Sequence, residues 1–155
     1  MEKAGEKGMH IRQVKGNRDS YLQLLLLADE QMEMIGRYLN QGDMFVLEEG
    51  DTYGECIVTD AGSSILEIQS LAVLPDHQRR GYGRAMIEYL AEHYRDSFSF
   101  LQAGTGDSPL TVPFYEDCGF IRHHVDKDYF TTHYDHPIVE QGVQLRDRII
   151  LRRAL

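Results

Sequence analysis

Residues 78–84 read Gln-Arg-Arg-Gly-Tyr-Gly-Arg, a basic turn with two glycines in a chain whose formal net charge is −9. They follow the apolar run Leu71-Ala72-Val73-Leu74-Pro75 and lead into a helical pattern. Successive backbone N–H groups at a strand-to-helix turn converge on one place, and the helix N-terminus adds positive potential. Gly81 and Gly83 let the backbone approach an anion without a Cβ in the way. Arg79, Arg80 and Arg84 add charge, and the whole describes a cradle for a pyrophosphate. A Walker loop does not fit, because no Lys-Ser or Lys-Thr pair follows the glycines. A dinucleotide fingerprint fails as well, since Met86 holds the third glycine position and no βαβ half follows.

Glu67 is the second group that could do chemistry. On a strand expected over residues 65–74, Ile65, Leu71 and Val73 alternate, and Glu67 and Gln69 share their parity. A carboxylate on the core-facing parity of a central strand is costly unless it has work or a partner. It is therefore either a base or a structural carboxylate paired with an arginine or the backbone.

The segment Gln78-x-x-Gly81-x-Gly83 after Leu-Ala-Val-Leu-Pro resembles the cofactor motif of the GNAT superfamily of N-acetyltransferases. Further along, Phe114-Tyr115-Glu116-Asp117-Cys118-Gly119-Phe120 is similar to the family's FYxxxGF segment. The resemblance covers nearly all the chain after Met9 and implies acetyl transfer from acetyl-CoA to an amine. It implies that Leu71, Ala72 and Val73 pair with the pantetheine arm, and that the Val73 N–H meets the developing oxyanion. Gln78, Arg79, Arg80, Gly81, Tyr82, Gly83 and Arg84 would hold the pyrophosphate. Glu67 matches a position where several members place a catalytic base, and Tyr115 a tyrosine that protonates the departing thiolate. Tyr115 could equally be a helix aromatic packing beneath the cofactor. Where the family often has asparagine and then alanine, this chain has Ser108 and Thr111. Serine can still hydrogen-bond, so Ser108 is retained as a cofactor contact.

Residues 124–143 hold Asp126, Tyr129, Phe130 and Tyr134, aromatic faces beside carboxylates that suit a cationic acceptor. An ordinary solvated loop is the alternative. His123, His124, His133 and His136 cluster in sequence but lack a zinc-ligand pattern, and no metal is expected. A covalent route through Cys118 is disfavoured, because no base is placed beside it. Direct attack by a small cationic amine is the preferred mechanism. A non-catalytic acyl-CoA sensor and a protein lysine or N-terminal acetyltransferase are the other readings.

The elements that must position these groups follow from periodicity. Strands are expected at residues 10–14, 44–48, 55–60, 65–74, 98–103, 120–123 and 146–151. Helices are expected at 19–28, capped by Asp19, at 29–39, at 84–94, and from Pro109 to a C-terminal stop at Gly119. The fold class is α/β (α+β), a mixed, mostly antiparallel sheet flanked by helices. A single domain over residues 9–155 is expected, with residues 1–8 a leader or disordered N-terminus. The 155 residues are 42% hydrophobic and 26% charged, ordinary globular composition. The acidic balance disfavours nucleic acid. No apolar run is long enough for a membrane span, and no signal core is evident, which favours the cytoplasm. Cys56 and Cys118 read as buried small hydrophobes. Acetyl-CoA and an amine are the expected partners, with a homodimer left open.

Overall fold

The computed structural model describes residues 9–29, 31–78 and 80–155. Residues 1–8, expected as a leader or disordered N-terminus, and Arg79, one of the expected cofactor contacts, lie outside the described residues. Seven strands form one sheet in the order β1-β2-β3-β4-β5-β9-β6, and β7-β8 form a separate ribbon. The expected mixed α/β class, mostly antiparallel with flanking helices, is what the chain adopts. Two compact units divide it. One takes the chain up to Asp60 with Ile68–Tyr94, and the other Ala61–Glu67 with Arg95–Leu155.

In the first unit β1 (His10–Val14), β2 (Asp43–Glu49) and β3 (Asp51–Asp60) pair antiparallel. The run Met44-Phe45-Val46-Leu47 is fully buried. Met44 and Val46 face a cluster with Val14, Leu25, Ile35, Tyr38 and Ile57, drawn partly from α1 (Leu22–Ala28) and α2 (Met32–Gly36). Phe45 meets Tyr89, His93 and Tyr94 of α3 (Tyr82–Tyr94) edge-on, with centroids 5.2, 5.6 and 6.2 Å away. A strand covered on both faces reads as an unbroken apolar run. β3 starts earlier than its pattern suggests, because a register shift at Leu47/Glu48 lets Thr52 pair with Glu48.

The two early helices are shorter than expected. Asp19 does not cap α1. It lies in a 3-10 turn (Arg18–Tyr21) entered through Asn17 at φ 55°, and α1 begins after Tyr21. Neighbouring Arg18 instead donates to the carbonyls of Leu39 (3.0 Å), Gln41 (2.6 Å) and Gly42 (2.7 Å), tying this turn to the end of the second helical stretch. α2 stops at Gly36, and Arg37 and Tyr38 continue it with three-residue bonds to Met34 and Ile35.

β4 (Ile65–Val73) alternates strictly, and its more buried row is Leu66, Ile68, Ser70 and Ala72. The assignment of Glu67 to the core-facing parity is thereby corrected. Ile65, Glu67, Gln69, Leu71 and Val73 form the half-buried row. In the second unit, β9 (Arg148–Ala154) runs antiparallel between β5 (Phe100–Gly106) and β6 (Ile121–Asp126). β5 continues through Gly104-Thr105-Gly106, expected as loop. A Cβ on Gly106 would lie 2.5 Å from Leu145 Cδ1, and one on Gly104 3.0 Å from Arg148 Cδ and Nε. The glycines admit the stems of neighbouring side chains, so here they mark close approach within a strand. Two short helical and strand pieces, α5 (Tyr129–His133) and the ribbon β7 (Val139–Glu140) with β8 (Val143–Gln144), replace the expected long loop.

Gly42 has φ +55°, and a Cβ there would come 1.9 Å from the Val58 carbonyl oxygen, a backbone atom that cannot step aside. Gly42→Ala is expected to lower the unfolding free energy by about 3 kcal/mol or more, measured by urea denaturation. A loss below about 1 kcal/mol would show that this turn relaxes freely.

Candidate active site

The glycine turn is built where β4 ends. Leu74 N–H donates to Tyr53 O (2.8 Å), and Pro75 opens a 3-10 turn (Pro75–His77) closed by His77 N–H on Leu74 O (2.8 Å). His77 stacks on Tyr53 at 3.7 Å. Gly81 takes φ +82°, and its carbonyl accepts the Ala85 N–H (2.9 Å) in the first turn of α3. The space a Cβ would fill at Gly81 is open, with no atom of the described residues beyond its chain neighbours within 4 Å. This is a backbone surface that an anion could approach at the start of a thirteen-residue helix. The helix starts at Tyr82, two residues earlier than its periodicity suggests, so Gly83 and Arg84 lie within its first turn.

The side chains of this segment divide. Gln78 turns back, its Nε2 donating to Val73 O (3.0 Å), and the Tyr82 hydroxyl bonds the Glu49 carboxylate. That bond raises the Tyr82 pKa, with burial adding to it. Gln78 and Tyr82 thus shape the loop, while Arg80 and Arg84 are exposed.

Tyr115 lies in α4 (Thr111–Asp117) and is 9% exposed. Gly119, at φ +91°, ends this helix as its sequence indicates. Gly119 N–H donates to Glu116 O and Phe120 N–H to Tyr115 O, both 3.0 Å, the paired bonds of a Schellman stop. The Tyr115 ring meets Phe120 at 5.2 Å and Phe114 at 5.1 Å. The helix stop therefore fixes the ring. Ser108 is buried, and its hydroxyl accepts the Leu110 N–H (3.0 Å), a turn contact that occupies one of its lone pairs.

Glu67 sits in a polar cluster of the second unit. Its Oε1 accepts from Gln102 Nε2 (3.2 Å), and Gln102 Oε1 accepts from Arg152 Nε (2.7 Å). Glu67 Oε2 is 3.9 Å from Arg148 Nη1, and Asp126 Oδ2 is 3.6 Å from Arg148 Nη2. The Arg148 guanidinium lies 4.4 Å above the Tyr129 ring.

The four residues expected to meet a cationic acceptor separate into two pairs. Asp126 and Tyr129 already hold a cation, and it is the chain's own Arg148. Phe130 and Tyr134 stack at 5.6 Å and line a cavity of about 220 Å³ with Asp135, Pro137, Ile138 and Leu145. The histidines find local partners. His123 Nδ1 lies 2.7 Å from His124 Nδ1, His133 Nδ1 is 2.9 Å from Tyr129 O, and His136 Nδ1 is 2.7 Å from Asp135. Desolvation and then Arg152 hold the His123 pKa below its usual value. Among the described residues no group of three or more His, Cys, Asp or Glu could hold a metal ion.

A strand that ends in a left-handed glycine turn and feeds a helix offers backbone amides to an anionic group. The family model of the acetyltransferase (GNAT) domain matches residues 40–122. The uncharacterized N-acetyltransferase YvbK of Bacillus subtilis (strain 168) is 30% identical over 136 residues, 86% of this chain and 88% of that protein. The IAA acetyltransferase from Bacillus cereus ATCC 14579 superimposes with a TM-score of 0.88 at 30% identity, over 95% of this chain and 99% of that one. A GNAT family acetyltransferase from Elizabethkingia anophelis with acetyl-CoA bound gives a TM-score of 0.90 at 26% identity, over 96% and 99% of the two chains. The chain belongs to the GNAT acetyltransferase family.

Three polar residues escaped the sequence reading. Gln102 and Arg148 sit on expected strands, but nothing in one sequence pairs them with Glu67. Glu55 did carry a signal, a carboxylate ahead of the apolar Cys56-Ile57-Val58. It is fully buried, its Oε2 accepts from Ser70 Oγ (2.6 Å), and its Oε1 has no partner among the described residues. Burial pushes its pKa up from 4.5 to about 8, against a smaller opposing effect of the Ser70 bond. The folded chain keeps this proton over a range where the unfolded chain has lost it. The stabilisation is full below about pH 4.5 and is lost as pH rises toward 8, with a slope on the order of 1.4 kcal/mol per pH unit. Glu55→Gln, followed by denaturation at several pH values, should flatten this slope. A wild-type profile no steeper than the variant's would overturn the assignment.

Proposed function

We propose that the protein transfers the acetyl group of acetyl-CoA to a primary amine by direct attack, without an acyl-enzyme. The observation that carries this reading is the open left-handed turn at Gly81 at the start of α3, in a chain of this family. The backbone amides around Gly81 and Gly83, with Arg80 and Arg84, suit the pyrophosphate. Leu71, Ala72 and Val73 would pair with the pantetheine arm, and the Val73 N–H would donate to the oxyanion. The complex with acetyl-CoA of the Elizabethkingia anophelis protein, and that of a Bacillus subtilis acetyltransferase with CoA, support the choice of donor.

The acceptor must be neutral to attack. Glu67 takes the ammonium proton, directly or through water, and the neutral amine adds to the carbonyl to form the tetrahedral oxyanion. As this collapses the C–S bond breaks, Tyr115 protonates the leaving thiolate, and the second proton of the nitrogen returns through solvent to the tyrosinate. The bond from Gln102 supports the role of Glu67 by fixing the carboxylate in one orientation. The closeness of Arg148 supports the structural alternative equally. The acidic chain suits an acceptor carrying a positive charge.

Glu67→Gln should lower kcat by about tenfold to a thousandfold while leaving acetyl-CoA affinity, read by calorimetry, within about twofold. Equal loss of rate and affinity would return Glu67 to a structural role. Tyr115→Phe should slow thiol release more than it weakens acetyl-CoA binding. An unchanged rate would leave Tyr115 as packing.

A further inference from the structure

Arg148 opens β9 directly across from Asp126 of β6. Its guanidinium is held on three sides, by Glu67 at 3.9 Å, Asp126 at 3.6 Å and the Tyr129 face at 4.4 Å. Gly104 makes room for its stem, since a Cβ there would press on Arg148 Cδ and Nε. Both ion pairs are longer than a hydrogen bond. The buried Nε has no hydrogen-bond partner among the described residues, and the side chain keeps 25% of its surface exposed. A guanidinium presents five N–H donors in a flat fork, well matched to a carboxylate. Nε is enclosed against Gly104, but Nη1 and Nη2 stand beyond hydrogen-bond length from Glu67 and Asp126, which leaves these two groups able to donate to an incoming anion.

The charges around it select what can. Arg148 faces Glu67 and Asp126, and Arg152 reaches the same cluster through Gln102, so two guanidinium groups stand with two carboxylates and the cluster has no large net charge. A polyamine brings only cations and would set one of them against a fixed guanidinium, which is unfavourable. A molecule carrying an ammonium and a carboxylate a few atoms apart matches the adjacent Glu67 and Arg148 in sign.

We propose that Arg148 and Glu67 together read a zwitterionic acceptor, the Arg148 fork taking the carboxylate and Glu67 the amine, so that the protein acetylates free α-amino acids. This inference rests on the acetyl-transfer reading above and narrows its acceptor.

The test compares all twenty amino acids, each against its decarboxylated amine and its carboxamide, by acetyl-CoA-dependent thiol release. The wild type should use at least one amino acid with a kcat/KM about tenfold or more above that of its matched amine and amide. Arg148→Lys keeps the charge but loses the fork, and should reduce that ratio by about tenfold. Arg148→Gln should reduce it further, and circular dichroism checks that both variants fold. A preference for the amines, equal use of the matched compounds, or a ratio unmoved by Arg148→Lys would overturn the proposal while leaving the acetyltransferase standing. Release with none of the compounds would also overturn it, and calorimetry with acetyl-CoA would then report whether the parent reading fails as well.

Discussion

Along β4 the side chains alternate between a buried row, Leu66, Ile68, Ser70 and Ala72, and a half-buried row that includes Glu67, Leu71 and Val73. This two-residue period decides which polar groups of the strand can do chemistry and which must be neutralised. Ser70 points into the core and meets Glu55 there. Glu67 points the other way, where Gln102 and Arg148 can reach it. A one-residue slip would exchange the two roles, burying Glu67 and exposing Ser70. Register, more than residue type, separates the half-buried carboxylate from the one held in the interior.

Much of the fold could be read in the sequence because its strongest signals are local. The passage from Leu71 to Arg84 records a strand end, a left-handed glycine and a helix start. The passage from Phe114 to Phe120 records a helix stop whose hydrogen bonds span only a few residues. The errors came where distant partners overrule local pattern. Asp19 has the chemistry of a cap, yet Arg18 beside it is drawn to carbonyls about twenty positions away. Gly104 and Gly106 look like loop residues and are instead the thin places of a strand. The parity of Glu67 was misjudged because half-buried apolar residues share its row.

The candidate site was legible unevenly for the same reason. The glycine turn and the helix stop that anchors Tyr115 were legible, since each belongs to a contiguous motif. Asp126 and Tyr129 are expected beside a cationic acceptor, but the cation they meet in the fold is the chain's own Arg148, from the next strand. No composition or spacing announces that Arg148 lies across from Asp126. The pairing exists only once β6 and β9 take their register. Glu55 and Glu67 make the complementary point. Both are glutamates on neighbouring strands, and their surroundings set them apart, one enclosed with a hydroxyl and the other among amide and guanidinium groups.

The two cysteines bear on how such a protein can be watched at work. Cys56 and Cys118 are both buried, at 1% and 3% exposure, and the Cys56 thiol is pushed well above its usual pKa by burial and by Glu55. A thiol reacts as its thiolate and only where a reagent can reach it. The folded chain is therefore nearly silent to disulfide-exchange dyes. Colour in a continuous assay reports product, and a rising blank without substrate would report unfolding.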